Sequence, residues 1–155
     1  MKLGTLCYIR DNNKTLLLHR TKKKNDSLAN FWIGLGGHVD IENGESPHEC
    51  IVREVMEESG LVVEPKLRGI ITFHNVEPEK DDWYAYLFTA SEFQGSLIDS
   101  NEGDLQWIGG EKLDEINIPD GDRLFLQWIQ ENNQLFSAKF TYENGKLQDH
   151  KVIFY

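Results

Sequence analysis

Residues 36–61 read GGHVDIENGESPHECIVREVMEESGL, and this stretch contains the best-delimited helix in the chain. Ser46 is a good N-cap, and it is followed by proline at the first helical position and by the glutamate that completes a capping box. Gly60 is a typical residue just beyond the end of a helix. The pattern therefore predicts a helix over residues 47–59.

The predicted helix carries three glutamates on one face. Glu54 lies three residues before Glu57 and four before Glu58, which are spacings at which helical side chains are neighbours. Like charges so placed destabilise an isolated helix by about 0.2–0.5 kcal/mol per pair. A hard divalent cation, which takes several oxygen ligands, would offset that repulsion. Arg53 is placed to hold a carboxylate by two bonds and fix its direction.

An alternative interpretation of these glutamates is a solvated acidic helix face, which is typical of an isolated E-x-x-E-E pattern. Here the acidic face follows the paired glycines Gly36 and Gly37, a second glycine-containing turn and a clear helix cap. That combination favours a metal site. The apolar residues of the same helix recur at helical spacing and predict the face that packs on the core; they are Ile51, Val52, Val55 and Met56.

The stretch resembles the Nudix box, whose pattern is G-x5-E-x7-R-E-U-x-E-E-x-G-U, where U is an apolar residue. From Glu45 to Leu61 the match has no exception. Between Gly37 and Glu45 there are seven residues rather than five, so the loop 40–43 reads as a two-residue insertion. The insertion precedes the helix and leaves the relative positions of the three glutamates unchanged.

A weaker resemblance extends over nearly the whole chain. Outside the box, the sequence looks like the MutT branch of the family. It implies an α+β fold, an α/β/α sandwich with a mixed sheet and two main helices, in a single domain over residues 1–155. It also implies dependence on Mg²⁺, with Mn²⁺ as a possible substitute. The implied reaction is hydrolysis of a nucleoside triphosphate, above all an oxidised purine dNTP such as 8-oxo-dGTP, to the monophosphate and pyrophosphate.

The resemblance also implies roles for individual residues. Glu54 is expected to be a metal ligand or the general base, oriented by Arg53, and Glu102 lies where MutT-like relatives place an acidic ligand or base. A turn carboxylate is the alternative for Glu102. The expected catalytic residues are Arg53, Glu54, Glu57 and Glu102. The expected metal ligands are Gly36, through its carbonyl, and Glu54, Glu57, Glu58 and Glu102.

Substrate contacts are expected from residues outside the helix. Arg20 and Lys23, the latter within a lysine triplet, are candidate phosphate contacts, and so is His38, which is otherwise a plain loop histidine. Trp32 is a candidate to stack on a purine, although an aromatic residue there also suits the core. Asp120 resembles one member of an acidic pair that some relatives use on the purine edge, but here glycine follows it.

The rest of the chain is predicted to be mostly strands. A hairpin is expected from strands 3–10 and 14–20, and a second one from strands 136–142 and 147–154 around the type I′ turn signal Asn144-Gly145. Further strands are expected at 61–63, 69–76, 83–90 and 105–108. A second helix is expected over residues 123–131, capped by Asp120 or Asp122.

Composition limits the partners. The chain has 155 residues and a net charge of −10, which disfavours binding to duplex DNA or RNA. A protein this acidic can bind a triphosphate only if metal ions lie between its carboxylates and the phosphates. Two cysteines are too few for a disulfide framework and are expected to be reduced, in a cytoplasmic protein with no membrane partner. A monomer or a homodimer is expected.

Two other functions stay open. The first is a Nudix hydrolase of another nucleoside diphosphate compound, such as a plain NTP, dihydroneopterin triphosphate or a dinucleoside polyphosphate. The second is a nucleotide sensor that keeps the fold without catalysis, although every charged position of the box is intact.

Overall fold

The computed structural model describes all 155 residues. Its two helices are α1 (Pro47–Ser59) and α2 (Asp120–Glu131). Its ten strands are β1 (Lys2–Asp11), β2 (Lys14–Arg20), β3 (Trp32–Ile33), β4 (Leu61–Val63), β5 (Lys66–His74), β6 (Trp83–Ala90), β7 (Phe93–Gly95), β8 (Gly103–Gly109), β9 (Phe136–Glu143) and β10 (Lys146–Phe154).

Eight strands form one mixed sheet in the order β10-β9-β5-β6-β1-β2-β3, with β8 also paired to β2. The β1–β6 and β5–β9 pairs are parallel, and the other pairs in this sheet are antiparallel. The strands β4 and β7 form a separate two-stranded sheet. Both predicted hairpins are confirmed, and Asn144 and Gly145 have the positive φ angles that a type I′ turn requires.

Both faces of the central strands are buried, which explains why their sequences are apolar throughout. On β1, Cys7 and Ile9 join a cluster with Ile51 and Val55 of α1, whereas Tyr8, between them, packs in a second cluster with Phe125 of α2. Successive side chains of a strand point to opposite faces. The sheet is therefore covered by α1 on one face and by α2 on the other, as expected for an α/β/α sandwich.

The helix α1 has the predicted bounds and caps. The Ser46 hydroxyl accepts the Glu49 amide N–H at 3.1 Å, so the predicted N-cap is confirmed. The Glu49 carboxylate accepts from the Ser46 hydroxyl at 3.0 Å rather than from the backbone amide of a full capping box. The predicted core face is partly wrong, because Met56 is exposed. Cys50 and Ser59 are buried beside the two central apolar positions, so the contact face is rotated toward smaller residues.

The helix α2 begins at Asp120, three residues before the predicted start, and the predicted cap is wrong. Pro119 occupies the N-cap and makes no side-chain cap bond. Asp122 lies inside the first turn and is buried next to Tyr8 rather than turned back on the helix end. Burial against the sheet, which the local sequence does not encode, sets this position.

Smaller differences lie at element ends. The strand β5 starts at Lys66 rather than near position 69, and β7 was not predicted. The inserted loop forms a 3-10 turn over Ile41–Asn43, in which the Asp40 carboxylate accepts from the Asn43 backbone and side chain. Both cysteines are buried and unbridged, as predicted. None of the helices is both long and apolar enough to cross a lipid bilayer.

Candidate active site

A glycine segment carries the chain from β3 along β1 to the acidic face of α1. The Thr5 amide donates to the Gly37 carbonyl at 2.9 Å, and Cys7 exchanges two backbone bonds with Leu35. A Cβ atom on Gly37 would lie 2.4 Å from the carboxyl carbon of Glu54. The absence of a side chain at Gly37 therefore allows the backbone to reach the helix carboxylate.

Arg53 binds three of the box glutamates at once. Its Nε and Nη2 donate to the two oxygens of Glu45 at 2.6 and 2.9 Å. Its Nη1 donates to Glu54 at 2.9 Å and to Glu57 at 3.3 Å. The two bonds from the guanidinium lower the pKa of Glu45 to about 2. Arg53 thus fixes the direction of carboxylates from both the loop and the helix.

Glu58 is the most enclosed of the helix glutamates. Its carboxylate accepts the Gly36 amide N–H at 3.3 Å. Burial, together with the charges of Glu102 and Glu54, raises the pKa of Glu58 to about 9. Burial also raises the pKa of Glu54 above its ordinary value. These carboxylates therefore need added positive charge to ionise together at neutral pH.

Glu102 is brought to this region by the loop before β8. Its carboxylate accepts from Arg20 Nη1 at 3.2 Å, while Arg20 Nε donates to Asp26 at 2.7 Å. The Glu102 carbonyl accepts the amides of Thr21 and Lys22, which fixes the loop against the end of β2. Arg20 is thus paired with two carboxylates, and neither bond uses its Nη2 atom.

The donor set suits a hard divalent cation. The candidate ligands are carboxylate oxygens and one backbone carbonyl, which are the donors that Mg²⁺ and Mn²⁺ take. A second sign of fit is that burial and neighbouring carboxylates raise the pKa values of Glu54 and Glu58, because a cation would offset that cost. No three acidic, histidine or cysteine side chains already stand together as a complete metal site. Water and substrate oxygens would complete the coordination, as is usual for Mg²⁺.

The expected substrate contacts lie on separate segments of the chain. Lys23 is exposed, and Trp32 is half-buried and stacks on His19 with ring centroids 4.3 Å apart. His38 is exposed, with its ring against Trp83, and its carbonyl accepts from Arg53. Asp120 is exposed in the first turn of α2.

Sequence reasoning missed two acidic residues. Asp26 pairs with Arg20, and no spacing rule connects a loop aspartate to it. Asp122 is buried, its Oδ2 lies 3.5 Å from the Tyr8 hydroxyl, and burial raises its pKa to about 7. An aspartate in an otherwise apolar helix face was the available signal for Asp122.

The chain is similar to known proteins in both sequence and structure. The family model described as NUDIX domain matches residues 2–129. The chain is 28% identical over 142 residues to "Uncharacterized Nudix hydrolase YvcI" of Bacillus subtilis, covering 89% of this chain and 85% of the relative. It is 33% identical over 154 residues to "Oxidized purine nucleoside triphosphate hydrolase" of Danio rerio, covering 98% and 90%. A MutT protein structure from Bacillus halodurans superposes with a TM-score of 0.84 at 27% identity, covering 98% and 97%.

Proposed function

The chain belongs to the Nudix family and is a Nudix hydrolase, and from this premise we propose that it hydrolyses nucleoside triphosphates to the monophosphate and pyrophosphate with Mg²⁺. Oxidised purine deoxynucleotides such as 8-oxo-dGTP are the proposed preferred substrates. The name of the Danio rerio relative, an oxidized purine nucleoside triphosphate hydrolase, supports this choice. We also propose that residues 1–155 form one domain, in a cytoplasmic monomer or homodimer. It would bind a small nucleotide and neither duplex nucleic acid nor membrane.

One observation carries the proposal: Arg53 holds Glu45, Glu54 and Glu57 at a point where the Gly37 backbone meets the helix. Such an arrangement fixes carboxylates that otherwise repel one another. Glu54, Glu57, Glu58 and Glu102, with the Gly36 carbonyl, would hold the metal. When bound there, Mg²⁺ would supply charge neutralisation for the phosphates and activation of water.

The chain's own residues have distinct roles in the proposed reaction. Glu54 is proposed to serve either as a metal ligand or as the general base that activates water. Arg53 is a positioning residue, because its Nη1 bond fixes the orientation of that carboxylate. Glu57 is the most exposed of the three helix glutamates and is therefore the one most open to an entering metal–nucleotide complex.

The proposed substrate contacts come from residues outside α1. Arg20 has Nη2 available for a phosphate oxygen, and exposed Lys23 and His38 add cationic or hydrogen-bonding contacts. Trp32 and Asp120 are the proposed contacts to the base. Arg20, which two carboxylates hold in place, would position a triphosphate for in-line attack and lower the entropic cost of that step.

A substrate panel tests the proposal. Purified protein with Mg²⁺ is assayed against 8-oxo-dGTP, the plain NTPs and dNTPs, dihydroneopterin triphosphate and dinucleoside polyphosphates, and every phosphorus product is quantified. We expect the highest kcat/KM for an oxidised purine dNTP, with equal amounts of monophosphate and pyrophosphate. Release of orthophosphate contradicts the cleavage position, and faster turnover of another compound contradicts the substrate.

A matched pair of variants separates catalysis from mere nucleotide binding. Glu57→Gln should abolish turnover, whereas Glu42→Gln, which alters an exposed carboxylate in the inserted loop, should leave it unchanged. A wild-type protein that binds nucleotides but turns none over is a sensor, and that result overturns the proposed activity.

A further inference from the structure

A second cleft lies away from the carboxylates, where β1, β5 and β6 meet the end of α2. It has a volume of about 510 Å³ and an opening to solvent, and its lining includes Arg10, Lys66 and Arg68. Arg10 is five residues along β1 from Thr5, which contacts Gly37, so the two places are about 16 Å apart along the strand. The cleft is therefore separate from the candidate active site.

Arg68 is a buried cation without a carboxylate partner. It is only 6% exposed. Its Nη1 donates to the Thr89 hydroxyl, and its Nη2 donates to the carbonyls of Ile129 and Asn132 at the end of α2. Its Nε is buried with no hydrogen-bond partner. A buried donor without an acceptor is unfavourable, and it marks a place where an acceptor is missing.

The neighbouring cations are also unpaired. Neither Arg10 nor Lys66 takes part in any of the side-chain ion pairs, although the protein carries 26 acidic residues. The charge of Arg10 further lowers the pKa of Arg68, after burial, which shows that the two guanidinium groups repel each other. Like charges that outnumber the carboxylates around them are stabilised by an anion from solution.

Two carboxylates line the same cleft and do not fill this role. Glu64 and Glu92 are both exposed, and the Glu92 carboxylate raises the pKa of Glu64, so these two groups interact with each other. The three cations outnumber the two carboxylates, so the net charge of these lining residues is positive. The two carbonyls at the end of α2 accept hydrogen bonds from Nη2 of Arg68. The Nε of Arg68 has no acceptor, and these carbonyls do not neutralise Arg10 or Lys66.

We propose that this cleft binds the phosphate group of a small anionic metabolite, at a site separate from the hydrolase centre. Arg10 and Lys66 contact the phosphate from the cleft walls, and Arg68 supplies a fixed charge beneath them. The volume suits a phosphate group with a small organic body attached, which is within the usual range for small-molecule sites. Arginine is the side chain best matched to phosphate oxygens.

The experiment titrates metal-free protein in EDTA with inorganic phosphate, pyrophosphate and a nucleoside monophosphate at constant ionic strength. Binding is followed by ¹H–¹⁵N NMR, including the arginine Nε–H resonances. Removing metal keeps the acidic centre from taking phosphate, and no turnover is needed, so the result is independent of the proposed hydrolysis. The three ligands distinguish a site for free phosphate from one that also requires an organic body.

We expect saturable shifts at Arg10, Arg68 and their strand neighbours, with a Kd below about 10 mM for at least one ligand. The double variant R10Q/K66Q should bind at least roughly tenfold more weakly. The matched control Lys146→Gln, an exposed lysine on β10, should bind as the wild type does. These two substitutions at cleft-wall positions avoid removing buried Arg68, whose loss would leave the Ile129 and Asn132 carbonyls without this donor.

Two results overturn the proposal. One is the absence of saturable binding by all three ligands, and the other is equal affinity in wild type and R10Q/K66Q. Shifts confined to residues 20–24 and 36–58 would also contradict it, because they would place the phosphate at the hydrolase centre.

Discussion

Gly37 and Glu54 are in such close contact that a single added carbon on the glycine would stand 2.4 Å from the glutamate carboxyl carbon. The backbone of the glycine segment and the carboxylate of α1 therefore form one packed unit. Arg53 holds the same carboxylate, because its Nη1 donates to Glu54 at 2.9 Å. The account of catalysis depends on this fixed carboxylate.

Gly37→Ala should lower catalytic activity more than it lowers stability. The added methyl group meets the end of a glutamate side chain, which can rotate away, rather than backbone. We expect kcat to fall at least roughly tenfold with a small change in melting temperature, since misplacement by about 1 Å at a reacting centre is costly. Steady-state kinetics and thermal unfolding measure both, and unchanged kcat would show that the contact has no catalytic role.

Arg53 and Glu45 should act as one unit. Arg53→Lys keeps the charge but loses the two-bond contact to Glu45, and Glu45→Gln weakens the same contact. Each variant should lower kcat/KM by about 10–100-fold, and the double variant should fall little further. A double-mutant cycle gives the coupling; full additivity would contradict a shared positioning role.

Arg20 should affect substrate binding. Arg20→Gln removes a cation placed beside Glu102 and is expected to raise KM for the triphosphate roughly tenfold, with a smaller change in kcat. Lys24→Gln, an exposed residue of the same region, is the matched control and should behave as the wild type does. An Arg20→Gln variant with normal KM would remove Arg20 from the phosphate contacts.

Asp122 should make stability depend on pH. Burial raises its pKa from 3.8 to about 7, so the folded state holds the proton more tightly than the unfolded state does. Its contribution is therefore fully present below pH ~4 and is lost as the pH rises to about 7, with a magnitude on the order of 4 kcal/mol.

Asp122→Asn tests that pH dependence. The amide cannot ionise, so the variant should lose less stability than the wild type between pH 4 and pH 7 and should be the more stable protein at pH 8. Urea unfolding at several pH values gives the comparison. Parallel curves for the two proteins would contradict the shifted pKa.

The parts of the fold that could be predicted are those determined by neighbouring residues. The bounds of α1 follow from Ser46 and Gly60, and the last hairpin follows from Asn144-Gly145, because caps and turns are local. The start of α2 could not be predicted in this way, since Asp122 is placed by contact with Tyr8, which is 114 residues away.

The same distinction holds in the candidate sites. Three glutamates on one helix face can be found from spacing alone. The pairing of Arg20 with Asp26 and Glu102 depends on a loop meeting a strand end, and the orphaned Nε of Arg68 depends on where α2 ends over β5. Such contacts join distant parts of the chain, and no periodicity in the sequence encodes them.

The central claim is that the α1 glutamates hold the divalent metal, and Mn²⁺ binding tests it most directly. Free Mn²⁺ is followed by electron paramagnetic resonance during titration of wild-type protein, the E57Q/E58Q variant and Glu42→Gln. The account predicts that the double variant binds at least roughly tenfold more weakly, whereas Glu42→Gln binds like the wild type. Equal Mn²⁺ affinity in all three proteins would contradict it.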